Sequence, residues 1–245
     1  MERDDTCVII PTYNNAATLG GVIRSVAAYT PHILVVNDGS TDQTQAIIDS
    51  FPFLKYIGYE KNRGKGWALR KAFAYARELG YRYAITMDSD GQHFAADIPA
   101  FMERVRETPD ALIVGARNMD QASVPGKSSF GHAFSNFWFR LETGIPCPDT
   151  QSGFRLYPIA RYERTLFFTR KYEFEIEVLV RSAWKDIPIV WIPVKVYYPP
   201  KTERVSHFRP FRDFTRISLL NSVLVILTAA RFLKKVIFAP KTGKD

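Results

Sequence analysis

Short apolar runs alternate with helix-like stretches along this chain, and that alternation restricts the fold more than any other feature. Cys7 to Ile10, Ile33 to Val36, Leu54 to Ile57, Tyr83 to Met87 and Leu112 to Val114 read as strands. Asp42 to Ser50, Gly66 to Leu79 and Asp97 to Glu107 have helical composition. Strands joined through helices run parallel, so the expected fold is α/β, a mostly parallel central sheet flanked by helices. After Gly115 the rhythm changes to a polar loop, a helix-like stretch from Gly131 to Leu141 and a loop with Pro146, Cys147 and Pro148. A later apolar segment, Ile187 to Tyr198, contains Pro188 and Pro193 and is expected at a sheet edge or as an irregular strand. With 245 residues, 46% of them hydrophobic, the chain can bury a core without disulfides or a structural metal.

In open α/β sheets, ligands bind beyond the carboxyl ends of the strands. The residues in those places are polar here. The first strand runs into Pro11-Thr12-Tyr13-Asn14-Asn15, the second into Asn37-Asp38-Gly39-Ser40-Thr41-Asp42, and the fourth into Asp88-Ser89-Asp90-Gly91-Gln92-His93. Three polar clusters from separate strands are expected to converge on one rim.

Asp88 and Asp90 carry the strongest chemical signal. Residues two apart at the end of an extended strand point the same way, and two carboxylates so placed repel each other. A hard divalent cation relieves that repulsion, and Mg²⁺ or Mn²⁺ is commonly held by one or two carboxylates together with substrate phosphates. The plain alternative is a turn in which an Asp caps the next helix. Asp38 has a similar alternative, an Asx-turn or an N-cap for the helix from Asp42, beside a role in holding a ribose or base. Asn62-Arg63-Gly64-Lys65-Gly66 resembles a phosphate-cradling loop without P-loop or dinucleotide spacing, and reads as a basic, flexible approach to a helix.

The four histidines lack zinc-ligand spacing and no Gly-x-Ser-x-Gly elbow occurs, which sets aside zinc and serine hydrolases. Cys7 and Cys147 form no disulfide framework, and the N-terminal apolar run is short for a secretory leader, so the expected setting is reducing and cytoplasmic.

The motifs VIIPTYNN, VVNDGSTD, NRGKGWAL, MDSDGQH, VGARN and DTQSGFR occur in the order and spacing of the family 2 glycosyltransferases, and the chain resembles that family from about residue 6 to 208. Within it, the similarity is to polyprenol-phosphate sugar synthases of the dolichyl-phosphate mannose synthase type. The resemblance implies a GT-A fold, a nucleotide-diphosphate sugar donor (GDP-mannose or UDP-glucose type), Mg²⁺ or Mn²⁺, and inversion at the anomeric carbon. It implies donor binding by Pro11, Tyr13, Asp38, Lys65, Asp88 and Gln92, and metal binding by Asp88, Asp90 and Gln92. Arg117 and Lys127 would meet the acceptor phosphate, and Gln151, Ser152, Lys201 and Ser206 would lie on the acceptor side.

A phosphate acceptor is already ionised and needs no general base. Asp149 is the alternative base if the acceptor is a lipid hydroxyl, as in a glycolipid synthase. The run from Pro200 to Phe208 departs from the subgroup's Arg and Gly-x-Ser-Lys ending, with His207 where a lysine is usual.

The formal charge of +8 is uneven. Residues 201–245 hold ten basic and three acidic side chains, a net +7, which leaves +1 for residues 1–200. The chain therefore divides into a GT-A catalytic domain, 1–208, and a basic amphipathic tail, 209–245. The tail contains fourteen uncharged residues, Ile217 to Ala230, below the roughly 17 to 20 needed to span a bilayer. It reads as an in-plane interfacial helix or helical hairpin on an anionic membrane surface, at the inner face of the cell membrane. The alternative is a C-terminal helix packed on the core. A basic nucleic-acid-binding protein without catalysis is the reading from another class, and paired carboxylates argue against it because they repel phosphates unless a metal is present.

Overall fold

The computed structural model describes residues 5–117, 126–198 and 210–237, by backbone alone at 126–130, 210 and 234–237. Seven strands form one sheet: β1 (Thr6–Thr12), β2 (Ile33–Asn37), β3 (Lys55–Gly58), β4 (Tyr83–Thr86), β5 (Leu112–Arg117), β6 (Arg155–Tyr157) and β7 (Ile189–Val194). Their order is β3-β2-β1-β4-β6-β5-β7, and β6 alone runs antiparallel to its neighbours. The α/β expectation is met. The proline-bearing β7 lies at the edge, where Pro193 removes no ladder bond that a further strand would need.

Helices α1 (Ala16–Ala27), α2 (Thr44–Asp49) and α4 (Ile98–Glu107) cover one face. Helices α3 (Lys65–Glu78), α5 (Gly126–Thr143) and α6 (Phe174–Trp184) cover the other. Alternation along the strands sorts side chains between these layers: Val8 and Ile10 enter the first, Cys7 and Ile9 the second. Three elements escape the pattern read from sequence. Helix α1 contains the Gly20-Gly21 pair, which weakens helical propensity. In α6, Glu175 and Glu177 interrupt the apolar run yet are buried, and β6 is only three residues long.

The chain moves from β1 outward to β3 and then returns to lay β4 on the other side of β1. This reversal opens a crevice between β1 and β4 at the carboxyl end of the sheet, where α/β proteins bind ligands.

The last helix, α7 (Pro210–Ile237), is 28 residues long. The uncharged run understated it: Phe211–Leu233, 23 residues, is long and apolar enough to cross a membrane by length and composition. One stripe of it nevertheless packs on the body, with Asp213, Ile217, Asn221 and Leu224 buried. Phe214 meets Phe134 of α5 with ring centroids 5.1 Å apart, Thr228 Oγ1 donates to the Glu142 carbonyl at 3.1 Å, and Arg231 donates to the Trp184 carbonyl at 3.0 Å. Phe211, Leu219, Val223, Ile226, Phe232 and Leu233 point outward and are exposed.

Two buried polar side chains lie in the helices of this packing. Glu142 on α5 and Asn221 on α7 are each 1% exposed, and none of their side-chain polar atoms has a hydrogen-bond partner among the described residues. Burial pushes the Glu142 carboxyl up to about 8 from an ordinary 4.5, so the folded chain keeps a proton that the unfolded chain releases. Stability is therefore expected to decline as pH rises from 4.5 to about 8. Glu142→Leu is expected to flatten that decline and to add about 1–3 kcal/mol near pH 8 in denaturant titrations; a variant with the wild-type pH profile would refute the assignment.

Candidate active site

The loops after β1, β2 and β4 are tied to one another by side-chain hydrogen bonds. Asn14 accepts from the Thr41 N–H at 2.8 Å, and the Asn14 N–H donates to Ser40 Oγ at 3.0 Å. Asn15 donates to Ser89 Oγ at 2.7 Å, and Thr18 donates to the Ser89 carbonyl at 2.6 Å. The expected convergence on one rim is present, and polar cross-links hold it.

Asp38 has neither of its plain roles. Asn37 accepts from the Ser40 N–H, and Asp42 makes the Asx-turn before the helix by accepting from the Thr44 N–H. Asp38 Oδ1 and Oδ2 instead accept from the Arg63 and Gly64 N–H groups at 2.9 and 2.7 Å, pinning the loop before α3. Gly64 sits at φ 104°, where a side chain would also strike the Arg170 carbonyl. Burial pushes the Asp38 carboxyl above its ordinary range, and the two N–H groups only partly offset this.

Lys65 opens α3 and reaches two carboxylates, Asp88 Oδ1 at 2.7 Å and Glu175 Oε1 at 2.8 Å. Burial opposes the lysine charge, but these partners outweigh it and raise its pKa. Burial likewise pushes Asp88 up, and the Lys65 charge more than reverses that. The three groups crowd Gly153: a Cβ there would lie 2.6 Å from Asp88 Oδ2 and 2.7 Å from Lys65 Nζ. Asp90 has no such counterion among the described residues. Burial, then the charge of Asp88, push its carboxyl up to about 6, and its Oδ1 accepts from the Gln92 N–H at 3.0 Å.

At the end of β5, Arg117 donates through Nε and Nη2 to Asp149 at 2.7 and 3.0 Å, and its N–H adds a third bond at 3.1 Å. Asp149 also accepts from the Gln151 and Ser152 N–H groups, and His132 Nε2 lies 3.5 Å away. Burial pushes Asp149 up, but His132 and Arg117 outweigh it and hold the carboxyl far below the usual carboxylate range. A carboxylate so saturated is a weak base, and the group expected as an alternative base stands here as the counterion of Arg117.

Pro11, Tyr13, Asp38, Lys65, Asp88 and Asp90 line one cavity of about 550 Å³. Gln92, Arg117, Asp149, Gln151 and Ser152 do not line it. Lys127 lies in α5 with its side chain outside the described residues, and Lys201 and Ser206 also fall outside them. The sequence reading missed Glu175, the second partner of Lys65, because its helix was not recognised. It also missed Lys171, Tyr172, Arg212, Asp213 and Arg216, which complete the cavity wall. The last three come from α7, read from sequence as a membrane-surface helix with packing on the core as the alternative.

Among the described residues no cluster of three or more His, Cys, Asp or Glu forms a metal cage. Asp88 and Asp90 form a two-carboxylate set, of the kind that binds Mg²⁺ or Mn²⁺ when substrate phosphates complete the shell. The desolvated, unpaired Asp90 fits that use.

The family model for glycosyl transferase family 2 matches residues 7–165, well over half of the chain. The chain belongs to glycosyl transferase family 2. It is a glycosyltransferase. It is 27% identical to the polyprenol monophosphomannose synthase of Mycolicibacterium smegmatis over 202 residues, 77% of this chain and 76% of that one. It is 26% identical to the undecaprenyl-phosphate mannosyltransferase of Micrococcus luteus, over 76% and 81% of the two chains. Among solved structures, glucosyl-3-phosphoglycerate synthase from Mycobacterium tuberculosis, in complex with Mn²⁺, UDP and phosphoglyceric acid, superposes with a TM-score of 0.67. That match covers 91% of this chain and 78% of the other at 18% identity. This last likeness supports the GT-A fold alone.

Asp149→Asn is expected to destabilise the protein by about 3–5 kcal/mol in denaturant unfolding, because it leaves the partly buried Arg117 guanidinium without its counterion. A change under about 1 kcal/mol, the usual worth of an exposed ion pair, would show that the pair is not structural.

Proposed function

We propose that this glycosyltransferase moves a hexose, with inversion, from a nucleotide-diphosphate sugar to polyprenyl phosphate at a membrane surface. The observation that carries this reading is that the acids near the cavity, Asp90 excepted, are already committed. Asp38 accepts two backbone N–H groups, Asp88 is bound to Lys65, Asp149 is bound to Arg117, and Asp213 lies 3.6 Å from Arg216. Asp90 remains, and it suits the metal. A hydroxyl acceptor would need a free base, whereas a phosphate oxygen attacks as it stands. Relatives named for polyprenol and undecaprenyl phosphate sugar transfer support the same acceptor class.

Asp88 and Asp90 would hold Mg²⁺ or Mn²⁺, which supplies charge neutralisation on the donor diphosphate when bound. Gln92 would act through its backbone, whose N–H fixes the Asp90 carboxylate. Pro11, Tyr13 and Asp38, beside the pinned loop of Asn62 and Gly64, form the wall for the nucleoside. Lys65 sets the position and charge of Asp88, and Lys171 and Tyr172 close the cavity beside it. Fixed groups of this kind act by orientation and by electrostatic stabilisation of the leaving diphosphate.

The exposed apolar face of α7 fits a bilayer surface. Because the opposite stripe of α7 packs on α5 and its first turns wall the cavity, the helix lies in the plane of the membrane in this reading. The same reading sets the encounter of nucleotide sugar and lipid phosphate at the cytoplasmic face.

The decisive test is transfer from a panel of GDP- and UDP-sugars with Mn²⁺ to polyprenyl phosphate, with polyprenol and diacylglycerol as controls. Transfer to the phosphate alone is expected, and Asp90→Ala is expected to lower kcat about a hundredfold or more. Preferential transfer to a lipid hydroxyl would reverse the assignment. For the membrane face, replacing Leu219, Val223 and Ile226 together by serine is expected to abolish sedimentation with anionic liposomes; unchanged pelleting would place the contact elsewhere.

A further inference from the structure

Four cations line the cavity: Lys65, Lys171, Arg212 and Arg216. Two of them come from α7. Lys65 is already balanced by two carboxylates, and Arg117, outside the cavity wall, is balanced by Asp149. Arg212 and Lys171 have no ion-pair partner among the described residues. Arg216 stands 3.6 Å from the buried Asp213, which holds it toward the cavity without a close contact. The positive charge still available to a ligand is thus concentrated where α7 meets the loop before α6.

The same two turns of α7 carry Phe211, 85% exposed, and Phe214, 41% exposed. Charge that faces the cavity and apolar surface that faces outward lie within six residues of each other. A nucleotide has no use for the apolar part, and its place is formed by the ends of β1, β2 and β4. A phosphate on a hydrocarbon chain uses both parts, its head at the arginines and its chain along the outer face of the helix.

We propose that Arg212 and Arg216 of α7 form the binding site for the phosphate of the lipid acceptor. The proposal rests on the polyprenyl phosphate reading, and it moves the acceptor's charge partner from Arg117, which Asp149 occupies, to the C-terminal helix. Guanidinium groups suit the task because their paired N–H donors match phosphate oxygens. Asp213 is a positioning residue for Arg216.

The full chain is tested with farnesyl phosphate, soluble enough to separate phosphate recognition from membrane attachment. In R212Q/R216Q the KM for farnesyl phosphate is expected to rise tenfold or more, while kcat and the Mn²⁺-dependent Kd for the nucleoside diphosphate stay within twofold. R212K/R216K is expected to recover part of the loss. An unchanged KM, or an equal loss of nucleotide affinity, overturns the proposal, the second outcome assigning the arginines to the donor. The single variant R212Q, at an exposed position, keeps the test sharp if the double variant unfolds, with a several-fold rise in KM expected. Calorimetric binding of farnesyl phosphate separates the two readings. Binding that wild type shows and R212Q/R216Q loses, with no transfer by wild type, sinks the acceptor reading and keeps the phosphate site. Transfer by wild type with equal KM in the variants does the reverse.

Discussion

The ion cluster of Lys65, Asp88 and Glu175 is the contact on which the site depends. It joins the first residue of α3, the end of β4 and the first turn of α6. A lysine alone in such a place would lose its proton, and two carboxylates alone would force one another to take one up. Together they remain charged, and Gly153 gives them the room to meet. One lysine against two carboxylates leaves this cluster acidic, and Asp90, two residues beyond Asp88, adds a further carboxylate with no ion-pair partner among the described residues, which makes the pair receptive to a cation.

A second buried cation stiffens the frame behind that cluster. The Arg155 guanidinium, fully buried, donates to the carbonyls of Ser152, Thr150 and Glu175 at 2.6, 2.7 and 2.6 Å. It satisfies three backbone acceptors that would otherwise be orphaned in the core. The DTQSGFR segment is therefore one body, with Asp149 clamping Arg117 at one end and Arg155 binding α6 at the other. The loop that resemblance assigns to the acceptor side is also a brace.

The strand ends were legible because the chemistry there is local: apolar run, then Asp, Asn and Gly. Asp38, Asp88 and Asp90 stand on the cavity where that pattern puts them. Partners from distant segments were not legible. Nothing near Arg117 in the sequence marks Asp149, 32 residues on, as its counterion. Glu175 is an acid inside an apolar stretch, which weakens a helix signal, although a buried acid is itself a sign of a cationic partner. The tail was misjudged in a specific way: counting uncharged residues finds fourteen, whereas Arg212, Asp213 and Arg216 belong to the same 28-residue helix and turn toward the cavity.

A helix that is cavity wall on one side and apolar surface on the other fixes the height of the chemistry. In the proposed orientation the anomeric carbon waits at the level of the lipid head groups, so the acceptor need not be drawn out of the bilayer to react. The encounter becomes a search in two dimensions, along the leaflet, with the soluble donor as the only partner arriving from solution.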